Sequence, residues 1–359
     1  MKIIIENAQG ANHYIASSYA TAFMAAGYDV VWWDTDSRSA FDIFAENSDV
    51  ELFLAHTWKL NRAVVKNLVK FKGQLRVVLF ANHFGPMDKE ITEKYAIETS
   101  SADERSFVRE LLSNNVDVKG LICQYFQKNV DNTHGNWGTD VGIQCHGFPL
   151  CADVTQYYLT APTKDYETDI FYTGGYWPYK AKYLNKYLLP LCYPNSKYKV
   201  KIVGSGWSTP NCVGRANENT IRNYYASAKV VPALFEPHTE LVGDIPQRVY
   251  QVAACGGFQI SQPAVDLDLA FDKKELHIFN NEEEFNQDIM IGTCEEGYAV
   301  SQSYRKAACL RVYAEHTNFH RSSRLAKLFG ENPIPFDMIL NKNYETVKQQ
   351  LQGAFICAD

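Results

Sequence analysis

Short apolar runs recur along the first part of the chain at residues 2–5, 29–33, 51–55 and 75–80, separated by segments long enough for helices. Fully buried strands of a parallel sheet read this way, as unbroken apolar runs, so the pattern predicts βαβ units. Residues 14–26 set Tyr19, Ala22, Phe23 and Ala26 at helical spacing with Ser17, Ser18 and Thr21 on another side, and stop at Gly27. Residues 58–72 place Leu60, Val64, Val65, Leu68, Val69 and Phe71 among Lys59, Arg62, Lys66, Lys70 and Lys72, and stop at Gly73. Both read as amphipathic helices closed by glycine.

Between residues 114 and 168 the chain is rich in Asn, Gly, Thr and Cys and shows no clear period until 150–159. A second alternation follows: strand 169–173, helix 179–192, strand 199–204, helix 218–227, strand 229–234, helix 245–255 and strand 258–261. Residues 298–324 read as one long helix, Pro333 and Pro335 break it, and 343–353 is helical again. The expected architecture is α/β with two Rossmann-like βαβ domains. Residues 1–165 form the first and 166–330 the second, and 331–359 form a helical segment crossing back to the first.

Composition narrows the function. With 46% hydrophobic, 13% aromatic and 21% charged residues, the chain fills sizeable cores and is not disordered. Its net charge of -6 provides no overall positive field for nucleic acid or anionic lipid, so no nucleic-acid partner is expected. Nine cysteines without a CxxC pair argue against a disulfide framework and for a reduced, cytoplasmic setting. No apolar stretch approaches the roughly 20 residues that span a bilayer.

No GxGxxG follows the first strand and no GxxxxGK[ST] occurs, which disfavours hydride-transferring Rossmann enzymes and P-loop NTPases. Asp34-Thr35-Asp36 and Asp266-Leu267-Asp268 satisfy a DxD pattern, a spacing common by chance. His134, His146, Cys145 and Cys151 make no four-ligand zinc set. No metal is expected to be required.

The strongest chemical signal is Gly243-Asp244-Ile245-Pro246-Gln247-Arg248, opening a helix that Gly256-Gly257 closes. Asp244 is a capping residue, and Pro246 near the first turn lacks an N–H that would have no partner there. Such a helix starts at a strand's carboxyl end, where free amides favour a phosphate and Arg248 supplies a charged clamp. Gly204-Ser205-Gly206-Trp207 and Thr173-Gly174-Gly175, the latter followed by Lys180, end two further strands. The glycines allow close approach of a ligand, Lys180 neutralises it and Trp207 offers a stacking surface. Three such turns in one domain describe a nucleotide site.

The stretch from Phe171 to about Leu328 resembles the CgeB-like glycosyltransferases of the two-domain GT-B fold. The resemblance runs through Tyr172-Thr-Gly-Gly-Tyr-Trp-Pro178, Gly204-Ser-Gly-Trp207, Tyr224-Tyr225, Arg248-Val-Tyr-Gln-Val-Ala-Ala-Cys-Gly-Gly257 and His316-Thr-Asn-Phe-His-Arg321. It implies a transferase that holds a nucleotide-diphospho-sugar on its second domain and a glycan or glycoconjugate acceptor on its first, with no cofactor beyond these substrates. Arg248 and Lys180 would neutralise the diphosphate, the 245–247 amides would cradle it, and Gly174-Gly175 would make room. The family commonly has Glu where Gln251 stands here, and related enzymes carry an acid at the position of Gly243; Glu236, His238 or Glu240 are the candidate substitutes. These departures leave two alternatives to a transferase: a sugar-nucleotide epimerase or hydrolase of the same fold, and an inactive sugar-nucleotide or glycan binder.

On the first domain, His13 follows the first strand, His56 the third and His83 the fourth. Histidine suits proton transfer near neutral pH, which makes these three the candidates for the reacting end.

Overall fold

The computed structural model describes residues 1–7, 11–81, 102–134, 137–178, 180–194 and 196–356. The chain divides into two compact units, Met1–Pro149 with Asn318–Ile339, and Leu150–Thr317 with the chain from Leu340.

The first unit is built on six parallel strands: β1 (Lys2–Glu6), β2 (Asp29–Trp33), β3 (Leu52–His56), β4 (Arg76–Phe80), β5 (Asp117–Cys123) and β6 (Cys145–Gly147), in the order β2-β1-β3-β4-β5-β6. Ile4, Phe53, Val77 and Leu121 of these strands pack with Phe44, Val64, Leu68 and Leu111 of the helices. Each such side chain taken out of water contributes roughly 1.5–3 kcal/mol. Asn61 caps the Arg62–Lys70 helix by accepting from the amides of Ala63 and Val64. The sheet grows outward in both directions from β1 and β3, so the topological switch point lies between their carboxyl ends.

The second unit repeats the logic with five parallel strands: β7 (Thr168–Thr173), β8 (Val200–Val203), β9 (Ala228–Ala233), β10 (Gln259–Ser261) and β11 (His277–Ile278), ordered β11-β10-β9-β7-β8. Its switch point lies between β7 and β9. Asn217 caps the Glu218–Ser227 helix by accepting from Thr220 N–H.

Several expectations need correction. The change of unit falls after Pro149, earlier than residue 165. Tyr157 packs with Phe171, Tyr225 and Val252, Arg222 donates to the Gln156 carbonyl, and Leu159 N–H donates to the Tyr313 hydroxyl. The return to the first unit begins at Asn318, before residue 331. Asn318 donates to Ser18 O, Arg321 donates to Pro149 O at 2.6 Å, and Phe336 packs on Phe23.

The long helix expected over 298–324 is two helices, Tyr298–Glu315 and Asn318–Phe329, because the His316 carbonyl accepts from Ala152 N–H across the break. The last helix, Ile334–Ile356, includes Pro335 in its first turn, where the missing N–H costs nothing. The helix expected over 179–192 is instead a single α-turn at Ala181–Tyr183, a π-turn at Leu184–Leu188 and a 3₁₀ turn at Leu189–Leu191 that contains Pro190. No helix among the described residues is long and apolar enough to cross a membrane.

Candidate active site

The second unit's site is built where β7 and β9 end. After Thr173 the chain turns at Gly174, whose φ of +145° disfavours any side chain. A Cβ at Gly174 would lie 3.0 Å from the Tyr172 hydroxyl and 3.2 Å from Arg248 Nη1, so these two polar groups stand where its side chain would be. Arg248, the second residue of the Gln247–Ala254 helix, donates from Nη2 to Leu234 O at 2.8 Å and from Nη1 to Thr173 O at 3.4 Å. Its guanidinium thereby ties the end of β7 to the chain leaving β9.

Lys180 is 2% exposed and comes from the loop after β7. Its Nζ lies 4.0 Å from Glu236 Oε1 and 5.8 Å from the Tyr172 ring centre, and Arg248 Cζ lies at the same distance from that ring. Arg248 is paired with no carboxylate among the described residues. Arg248 Nε and the Tyr172 hydroxyl are buried without a hydrogen-bond partner. Burial, followed by repulsion from Arg248, pushes the Lys180 ammonium well below its ordinary 10.5, with Glu236 opposing. Burial raises the Tyr172 hydroxyl to about 12, against the pull of Arg248. Two cations beside a single carboxylate, with donors left unused, make a cluster short of negative charge.

The start of the helix differs from expectation. Asp244 does not cap it. Gly243, in the left-handed conformation at φ +74°, ends the preceding Pro237–Val242 helix, Ile245 N–H returns to Gly243 O, and Pro246 takes the N-cap position. Of the 245–247 amides, Ile245 is already bonded and Pro246 has none. The amides ahead of the helix's own ladder are therefore those of Gln247 and Arg248. Gln251 sits one turn on from Arg248 and is 8% exposed. Glu240 accepts from the Tyr183 hydroxyl and from Gln262.

Trp207 is not a loose stacking platform. Its indole N–H donates to Gly174 O at 2.8 Å and its ring meets Tyr172 and Tyr176 edge-on. Gly206 lets the two loops lie close, since a Cβ there would meet the Tyr176 carbonyl at 2.6 Å, and Gly175 makes room for the Trp177 ring of its own turn. The outer side of Trp207 borders a cavity also lined by Tyr176, Tyr193, Pro194, Thr209 and Pro210.

In the first unit, His56 ends β3 and is 3% exposed. Its ring is stacked between Trp58 (4.1 Å) and Phe80 (4.7 Å). Glu6, the last residue of β1, accepts from His56 N–H at 2.7 Å and lies 3.0 Å from His56 Nδ1. His13 is exposed, at 2.8 Å from Asn7 Oδ1, with Trp32 stacked alongside. It shares no hydrogen bond or ring contact with His56. His83 lies outside the described residues.

Asp34 accepts from Asp36 N–H and the Ser37 hydroxyl, closing a turn. No group of three or more His, Cys, Asp or Glu among the described residues is arranged to hold a metal ion. The sequence missed Tyr172, which reads as core inside an apolar strand, and Glu6, a lone acid ending an apolar run and pointing to a strand's carboxyl end.

Two doubly wound parallel units of this kind are the architecture of GT-B glycosyltransferases. Residues 187–327 match the family described as glycosyl transferase-like, and no curated protein matches the chain. Among solved structures, T4 phage β-glucosyltransferase bound to UDP-glucose is similar at 12% identity, with 92% of this chain and 99% of that one covered and a TM-score of 0.57. An α-glucosyltransferase in complex with UDP and DNA is similar at 11% identity, with 92% and 99% covered and a TM-score of 0.63. Sucrose-phosphate synthase from Thermosynechococcus elongatus is similar at 13% identity, with 92% and 98% covered and a TM-score of 0.57. These identities establish the fold. With the family match, they make the chain a glycosyltransferase of GT-B type.

Proposed function

We propose that the protein moves a sugar from a nucleotide-diphospho-sugar to a hydroxyl of a glycan or glycoconjugate, in the manner of the CgeB-like branch and in the cytoplasm. The observation that carries the donor half is the side-chain cluster at the ends of β7 and β9. There Lys180 and Arg248 stand beside one carboxylate, and the Tyr172 hydroxyl and Arg248 Nε have no partner. A diphosphate supplies the missing negative charge and the missing acceptors, and the amides of Gln247 and Arg248 add the favourable end of a helix. Because these groups already provide cationic neutralisation, the reaction is proposed to need no metal. The net charge of -6 supports a carbohydrate acceptor over DNA, although one similar enzyme was solved with DNA.

The test is a thermal-shift panel of nucleoside diphosphates and UDP-glucose, with and without magnesium. Selective binding to the folded chain raises its melting temperature, by about 2.7 kcal/mol of stabilisation at a hundredfold excess over Kd. One base is expected to stand out, equally with and without magnesium. A panel without any shift overturns the donor site, and a shift that appears only with magnesium overturns the metal-free reading.

A further inference from the structure

We propose that Gln262 and Glu240 are positioning residues of the donor site: together they set where Lys180 and Arg248 stand relative to one another. The inference rests on the glycosyltransferase reading and goes beyond it by naming two residues that act through others. Every residue involved belongs to the second unit.

Three consecutive residues follow β9, and each holds a different partner. The Leu234 carbonyl accepts from Arg248 Nη2 at 2.8 Å, the Phe235 N–H donates to Gln262 Oε1 at 2.7 Å, and Glu236 Oε1 lies 4.0 Å from Lys180 Nζ. Both cations are therefore seated on one short segment. Gln262, buried and the first residue after β10, fixes that segment at its middle residue.

From Gln262 the contacts run on. Its Nε2 donates to Glu240 Oε1 at 3.3 Å, and Glu240 Oε2 accepts from the Tyr183 hydroxyl at 2.8 Å. Tyr183 ends the α-turn that Lys180 opens, and its N–H donates to the Lys180 carbonyl at 3.1 Å. Its ring stacks on Tyr187, which packs against Phe279 and Phe285 in the core. The path closes on itself: Lys180, Glu236, Phe235, Gln262, Glu240, Tyr183 and back to Lys180.

The chemistry of this ring admits one arrangement. A backbone N–H only donates, so the Gln262 oxygen faces Phe235; a carboxylate only accepts, so the Gln262 NH₂ faces Glu240. Both Glu240 oxygens are thereby engaged, one by an amide and one by a phenol. Glu240 is then the brace of the Lys180 turn and not the acid that meets the donor sugar. An apolar side chain at 262 would take these partners from the buried Phe235 N–H and from one Glu240 oxygen. The segment under both cations would lose its anchor, and a diphosphate, which gains from charges already held in place, would bind more weakly.

The experiment measures binding of inorganic pyrophosphate and UDP-glucose by calorimetry, and urea unfolding across pH, on the full chain. Gln262→Met should bind pyrophosphate at least about tenfold more weakly, the equivalent of one or two hydrogen bonds. Tyr183→Phe, which removes a single oxygen and keeps the test open if Gln262→Met does not fold, should bind severalfold more weakly. Gln262→Glu sets two carboxylates against each other and should lose at least as much as Gln262→Met. Combining Gln262→Glu with Glu240→Gln keeps the net charge and every bond, because the new carboxylate accepts from Phe235 N–H and from the new amide, whose oxygen takes the Tyr183 hydroxyl. This exchange should return affinity to within about threefold of the wild type.

Variants that are less stable yet bind pyrophosphate like the wild type overturn the positioning role and leave a purely structural one. An exchange variant that folds but stays as weak as Gln262→Glu overturns it too. If the wild type binds neither ligand, the donor reading falls and the pH profile decides the rest. Lys180→Met locates the part of that profile set by Lys180, where stability rises with pH because burial and then Arg248 hold the ammonium well below its ordinary value. Tyr183→Phe should flatten that part, and an unaltered slope overturns the coupling of Glu240 to Lys180.

Discussion

Trp207 donates its indole N–H to the carbonyl oxygen of Gly174 at 2.8 Å, joining the turn after β8 to the turn after β7. The residue that looks most like a stacking surface in the sequence therefore braces the turn beside the proposed diphosphate site. Trp207→Phe keeps the ring and removes the donor, leaving that carbonyl unsatisfied. The expected loss is about 1 kcal/mol in denaturant unfolding, together with a severalfold weaker affinity for nucleoside diphosphate. An unchanged midpoint and affinity would show that the bond does not hold the loop.

Arg248 contributes its charge and its fork together, because two nitrogens of one guanidinium reach carbonyls on different chain segments. Lysine cannot span both. Calorimetry should find that Arg248→Lys binds nucleoside diphosphate at least about tenfold more weakly. Arg248→Ala should fall further, in line with the 2–5 kcal/mol typical of truncating a buried, hydrogen-bonded charge. Equal affinity in Arg248→Ala would remove it from the donor site.

Lys180 gives the pH dependence. Its folded-state value lies well below the ordinary 10.5 through burial and then Arg248, so the unfolded chain binds the extra proton between those two values. In that window stability rises with pH, and it falls as the pH drops toward the folded value. Lys180→Met should flatten this part of the profile. An anion at the site favours the ammonium form, so nucleoside diphosphate binding in the same window should take up a proton, seen as a buffer-dependent heat in calorimetry. A heat independent of buffer would contradict it.

Gly204 faces the Gly174 carbonyl so closely that an added Cβ would fall inside the contact distance of that backbone oxygen. Gly204→Ala should cost about 1–3 kcal/mol, the range for overpacking, and pull the β7 and β8 turns apart. Chemical denaturation measures the first effect and loss of donor affinity reports the second.

Gln251→Glu restores an acid one helical turn from Arg248. A charge-assisted bond to ribose hydroxyls should tighten nucleoside diphosphate binding severalfold and leave inorganic pyrophosphate unaffected. Tightening toward both ligands would instead report a general charge effect.

Much of this architecture is legible in the residues, for physical reasons. β1, β3 and β4 carry apolar runs with polar residues at one or both ends because both faces of a parallel sheet are covered, and Ile3, Leu52, Phe53 and Val78 are all fully buried. β5 escapes the same reading because Lys119 and Gly120 interrupt its run, and β6 has three residues, too few to carry a period. Arg248 and Lys180 follow from their places after strand ends. Asp244 misleads because the local rule favours an acid ahead of proline, whereas the turn satisfies Ile245 through Gly243 O. His56 is visible as a histidine ending a strand. Its partner is not, because Glu6 is separated from it by 50 residues and only the order of strands brings them together.

The first unit is not one stretch of chain: residues from Asn318 to Ile339 complete what residues up to Pro149 begin. Asn318 bonds back to Ser18, Arg321 to Pro149, and Phe336 lies against Phe23. On the ribosome, where synthesis runs from the amino end and domains fold as units, the embedded segment Leu150–Thr317 emerges in full before the contacts that seal the first unit exist. The six-stranded sheet that carries Glu6 and His56 must therefore wait, partly uncovered, for helices made after the other unit, so its completion is timed by the synthesis of Asn318–Ile339.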